Sequence, residues 1–125
     1  MLKILQINVN RSSSATKSAL DLAIKVDAKI VAVQEPWLLK RSSYLSTRSI
    51  AHQNFTQILP TPKDTSLKLR VLFYIRKDLK TEVNPFISDN NDFIAIKVLA
   101  STSSFYIYNI YNKKSLQEGL NQTII

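Results

Sequence analysis

Residues 2–9 carry Leu2, Ile4, Leu5, Ile7 and Val9 in rough alternation with polar side chains, and the run stops at Asn10. Successive strand residues face opposite sides of a sheet, so this pattern predicts a buried strand, and its apolar density predicts a central one. Ser12, Ser13 and Ser14 come next and can cap a helix by accepting from its free backbone amides. Over residues 15–26, Ala19, Leu20, Ala23 and Ile24 recur at helical spacing, with Leu22 and Val26 widening the apolar stripe. The β-branched run at 29–35 predicts a second strand, ended by Pro36, which has no backbone donor. A helix between two strands is a crossover, so the strands should run parallel with their C-terminal ends on one edge of the sheet.

The remainder reads differently. Residues 38–66 are polar and interrupted by Pro60 and Pro62, with one strand at 55–59. A strong strand at 69–75 ends in the turn-prone Arg76-Lys77-Asp78, and 93–99 with 105–111 predicts a hairpin about a turn at 100–104. At 115–125, Ser115, Leu116, Glu118 and Leu120 predict the start of a helix that Gly119 weakens. One strand-helix-strand unit followed by mainly antiparallel strands predicts an α/β sandwich on two sheets, with helices outside.

Composition narrows the function. A chain of 125 residues is one domain at most, and its 45% apolar content suffices for a real core. A single Gly rules out the glycine-rich loops that cradle nucleotide phosphates. The lack of Cys removes disulfides and thiolate metal sites and fits a reducing compartment, nucleus or cytoplasm. The N-terminal apolar run is too short for a signal peptide, and no stretch nears the roughly 20 apolar residues of a membrane span. Seventeen Lys and Arg against nine Asp and Glu give a formal charge of +8, which favours polyanionic partners.

Few residues can carry chemistry. Glu35 ends an apolar strand just before Pro36-Trp37, where a carboxylate can leave the core and bind a hard cation such as Mg²⁺. A strand-end Glu paired with a surface Lys is the plainer alternative. Asn8 and Asn10 close the first strand, and a parallel sheet sets them beside Glu35; alone, each would be a turn former. Tyr111 ends a late strand and could hydrogen-bond a phosphate, although most strand tyrosines are packing residues. His52 has no second His or Cys near it and is expected to have a structural or surface role. The serine run has no partnering base, so any hydrolysis would be metal-assisted.

Four segments in order carry a resemblance: Leu5-Gln6-Ile7-Asn8-Val9-Asn10-Arg11-Ser12, Val33-Gln34-Glu35-Pro36-Trp37, Val71-Leu72-Phe73-Tyr74-Ile75-Arg76-Lys77-Asp78 and Asn109-Ile110-Tyr111-Asn112. Together they resemble the endonuclease/exonuclease/phosphatase superfamily, and most of all the apurinic-type endonuclease of non-LTR (LINE-like) retrotransposons. The resemblance implies a four-layer αββα sandwich, dependence on Mg²⁺ or Mn²⁺, and nicking of DNA. It implies a metal site at Asn8 and Glu35, a phosphate contact at Tyr111, and DNA-facing positions at Asn10, Arg11 and Asn112. The family's Asp-x-Asn and Ser-Asp-His motifs are expected beyond residue 125. Residues 1–125 therefore read as the N-terminal part of one such domain, incomplete at the C-terminus and inactive alone. The alternatives are a degenerate remnant that binds nucleic acid without catalysis, and a phosphatase of the same superfamily.

Overall fold

A computed structural model describes residues 2–39, 48–61, 68–86, 90–99 and 102–111. The elements are β1 (Ile4–Asn8), α1 (Ser13–Lys25), β2 (Ile30–Gln34), β3 (Phe55–Ile58), β4 (Val71–Arg76), β5 (Glu82–Phe86), β6 (Phe93–Leu99) and β7 (Ser104–Ile110). The first sheet has the order β1-β2-β4-β3 and the second β5-β6-β7. The strand-helix-strand reading holds: β1 and β2 are parallel, with Ile4 opposite Ile30 and Asn8 opposite Gln34. All other pairings are antiparallel. The fold is α/β and rich in strands, with α1 the one helix among the described residues.

Two apolar interfaces hold it together. On one face of the first sheet, Val31, Val33, Leu72 and Tyr74 meet Ala19, Leu20 and Ala23 of α1. On the other, Ile30, Ala32, Val71, Phe73 and Ile75 meet Ile94, Ile96, Val98 and Ile107 of the second sheet. The central strands β2 and β4 are buried on both faces, which is why they read as continuous apolar runs. α1 starts where expected: Ser12 is the N-cap, accepting from the Ala15 amide at 3.1 Å.

Three expectations change. β1 lies at an edge of the described sheet rather than at its centre, and its apolar side chains are only partly buried. Leu22 and Val26 are exposed, so the buried stripe of α1 is narrower than the periodicity implied. β5 lies within a segment with no strand pattern; it is an edge strand, and Pro85 is tolerated there because an edge need not donate on both sides. The helix expected at 115–125 lies outside the described residues.

One end of the first sheet is closed by charge. Lys29 reaches Asp27 at 3.1 Å and Asp78 at 3.2 Å, and Arg76 contacts the same two carboxylates at 3.6 Å. The Lys29 ammonium holds the Asp27 carboxyl below its ordinary range. The opposite end carries the candidate chemistry.

Candidate active site

The register of the strands decides which residues meet. β1 and β2 end together at Asn8 and Gln34, and β4, running the other way, begins there because Gln34 faces Val71. In the second sheet β6 begins and β7 ends at one place, where Phe93 faces Ile110. Gln34 then joins the two sheets, its Nε2 donating to the Ile110 carbonyl at 2.7 Å. Glu35, Arg70, Asp92 and Tyr111 each lie one residue beyond these positions and so gather at one edge.

The backbone at this edge is bent in an unusual way. Asn10, Arg11 and Glu35 all have positive φ, at 49°, 57° and 50°. Asparagine tolerates this region, but arginine and glutamate do so at a cost. Asn8 Oδ1 accepts from the Asn10 amide at 2.8 Å, an Asx turn that starts the bend. The Arg11 amide then donates to the Glu35 carbonyl at 2.7 Å, and the Glu35 amide to the Arg70 carbonyl at 2.9 Å. The two strand ends are thereby fastened to each other and to β4, and Arg11 Nη1 adds a long bond to the Pro36 carbonyl at 3.4 Å.

The side chains converge on one pair. Tyr111 Oη donates to Glu35 Oε1 at 3.1 Å across 76 positions of sequence. Arg70 stacks its guanidinium over the Tyr111 ring, 5.2 Å from the centroid, and reaches Asp92 at 3.5 Å. The Tyr111 amide is held by the Asp92 carbonyl at 2.8 Å. Burial raises the Tyr111 phenol above its ordinary range, helped by the bond to Glu35 and its charge; Arg70 and Arg11 oppose the shift. A neutral phenol beside a carboxylate and two guanidiniums can donate to an anionic oxygen while the arginines offset its charge.

Glu35 and Asn8 offer only oxygen donors suited to a hard cation, Asn8 through its amide oxygen. Asp92 is engaged with Arg70, and the described residues contain no cluster of three or more His, Cys, Asp or Glu. One carboxylate with an amide fits Mg²⁺, which takes one or two protein carboxylates and fills its remaining positions with water and substrate phosphate.

No protein-family model matches the chain. No curated protein matches it. Among solved structures, the endonuclease domain of TRAS1, a telomere-specific non-LTR retrotransposon, aligns with 90% of this chain at a TM-score of 0.67. The described fold is similar to part of that retrotransposon endonuclease domain. Sequence identity is 15%, so the likeness is one of fold, and the chain spans 45% of that neighbour's length. This is the relation to which the four ordered segments pointed.

On this fold, Asn8, Asn10, Arg11, Glu35 and Tyr111 share one edge, and Glu35 and Tyr111 touch. Asn112 lies outside the described residues. His52 is structural, its Nδ1 accepting from the Asn54 amide and its ring packed edge-on against Phe55. Arg70 and Asp92 were missed. Each directly precedes a strand start, a position at which sequence gives no sign of which other strand ends lie alongside.

Proposed function

We propose that this chain is the N-terminal portion of a divalent-metal-dependent endonuclease domain that nicks DNA, of the kind used in retrotransposon insertion. The observation that carries the reading is the contact between Tyr111 and Glu35 at a strand-end edge flanked by Arg11 and Arg70. The fold shared with TRAS1 supports it, as does the net charge of +8. A domain of this kind is a four-layer αββα sandwich, of which the two sheets and α1 would form part.

Each residue then has a task. Glu35, with the Asn8 amide oxygen, would hold Mg²⁺ or Mn²⁺, which would supply polarisation of the phosphoryl oxygen and stabilisation of the leaving one. Tyr111 keeps Glu35 in place through its hydroxyl, and when a phosphate binds, that single O–H turns from the carboxylate to a phosphate oxygen. Arg11 and Arg70 offset the charge that builds on the phosphate, and the family resemblance assigns Asn10 and Asn112 to DNA contact. The family resemblance assigns support of the nucleophile and completion of the phosphate clamp to Asp-x-Asn and Ser-Asp-His motifs, so the task of Glu35, Asn8, Tyr111 and the two arginines is to bind and orient.

Supercoiled-plasmid nicking with Mg²⁺, run on the chain, on a version extended to the length of its structural neighbour, and on Glu35→Ala in each, tests this. Nicking by the extended protein alone, lost in its Glu35→Ala variant, is the expected result. Nicking by the short chain would refute the division of labour. An extended protein that binds DNA but never nicks it would favour a non-catalytic remnant.

A further inference from the structure

The space between the two sheets is apolar along most of its length, filled by Ile30, Ala32, Phe73, Ile94, Ile96 and Ile107. At the candidate-site end it turns polar. Asn109 is fully buried there, and its Nδ2 donates to both the Val33 carbonyl at 3.1 Å and the Leu72 carbonyl at 2.8 Å. Val33 and Leu72 are partners across β2 and β4, so this one amide ties β7 to both central strands. Gln34 adds a second tie by donating to the Ile110 carbonyl at 2.7 Å. Nothing in the proposed chemistry uses either amide.

Packing does not explain Asn109. Its Oδ1 is buried and has no partner among the described residues. A leucine of similar size would fill the position without burying an unmet acceptor. What the amide offers is register. Ile107, Asn109 and Tyr111 face the first sheet, whereas Tyr106, Tyr108 and Ile110 are exposed on the other side. A slip of β7 by one residue would turn Tyr111 away from Glu35, because strand side chains alternate with a period of two. Three hydrogen bonds at adjacent residues oppose that slip immediately before Tyr111.

We propose that Asn109 and Gln34 are positioning residues, an amide latch between the sheets that holds the Tyr111 hydroxyl against Glu35. The latch touches neither metal nor phosphate. It rests on Glu35 and Tyr111 being the working pair, and it stands independently of nicking.

The test uses the full chain with ¹³C at the tyrosine Cζ carbons, read by NMR at neutral pH. The Tyr111 signal is assigned by its loss in Tyr111→Phe, and contact is read as the shift of that signal on Glu35→Ala. In the otherwise unchanged chain the shift should be large. In Asn109→Leu and Gln34→Leu backgrounds it should be lost, while the other tyrosine signals keep their dispersion. A shift of unchanged size in a folded latch variant would overturn the proposal, as would no shift in the unchanged chain. Should Asn109→Leu fail to fold, Gln34→Leu, which leaves the buried amide in place, decides the matter. Failure of the extended protein to nick DNA would sink the endonuclease reading and leave this result standing.

Discussion

Replacing Glu35 by glycine and, in parallel, by alanine separates what its backbone costs from what its side chain contributes. Glu35 sits at φ 50°, where a Cβ crowds the following carbonyl at about 1–2 kcal/mol. Both substitutions remove the carboxylate that accepts from Tyr111, a part-buried hydrogen bond contributing about 1 kcal/mol. Only glycine also removes the Cβ. Its extra freedom in the unfolded chain offsets part of that relief, about 0.5–1 kcal/mol. The glycine variant should therefore be roughly 1 kcal/mol more stable than the alanine variant and close to the unchanged protein, a difference of about 4 °C in Tm for a domain of this size. Urea and thermal unfolding followed by circular dichroism measure it. Coincident unfolding curves for the two variants would mean that the bend stores no strain at Glu35, and the reasoning would fail. The expected ordering would mark a position where the hydrogen bond of the carboxylate offsets the strain of its own backbone.

Other expectations can be checked alongside. Ser12→Ala removes the side chain that caps α1 and should lower stability by about 1 kcal/mol in urea titrations; no change would mean that the cap is solvated away. Tyr74 is fully buried, and its hydroxyl donates to the Ile50 carbonyl at 2.7 Å, so Tyr74→Phe should cost about 1 kcal/mol at neutral pH. Burial raises the Tyr74 phenol above its ordinary range. A raised folded-state pKa means stability that is whole below the unfolded tyrosine value and lost as pH rises through the folded one. The gap between the protein and Tyr74→Phe should therefore close at alkaline pH, and parallel stability curves would contradict it. Calorimetry of Mg²⁺ with the chain should give binding weaker than about 10 μM, roughly 7 kcal/mol, because Asp92 is engaged with Arg70 and leaves Glu35 as the carboxylate offered at this edge among the described residues; tighter binding would demand further ligands.

How far the sequence could be read depends on what each residue answers to. β2 and β4 were legible because both faces are buried, leaving unbroken apolar runs. β5 was not, because of its five residues only Val83 packs on the inter-sheet core and Pro85 breaks the pattern. The edge position of β1 was hidden because strand order is a property of partners, and Leu5 and Ile7 look alike at an edge or a centre. Asn8 and Glu35 could be placed together since a crossover helix forces parallel strands. Arg70 and Asp92 could not, since their meeting with Tyr111 depends on how the second sheet docks. The left-handed backbone at Arg11 and Glu35 leaves no trace in residue type, because glycine would be the natural signal there.

The span of 76 positions between Glu35 and Tyr111 also sets an order of assembly. The β1-α1-β2 unit closes early, since Ile4 needs only Ile30 and the helix between them. Bringing Tyr111 to Glu35 closes a loop nearly three times longer, whose length-dependent entropy is roughly 4 kcal/mol, and it requires the second sheet to have docked. Among the described residues, the candidate site should thus be the last to form, both in refolding and as the chain leaves a ribosome. Pulse-labelled hydrogen exchange should protect the Val31 and Val33 amides before that of Tyr111. Until β7 is in place, the region that folds first carries Glu35 without its partner, so any cleft for a phosphate opens only when nearly every described residue has found its position.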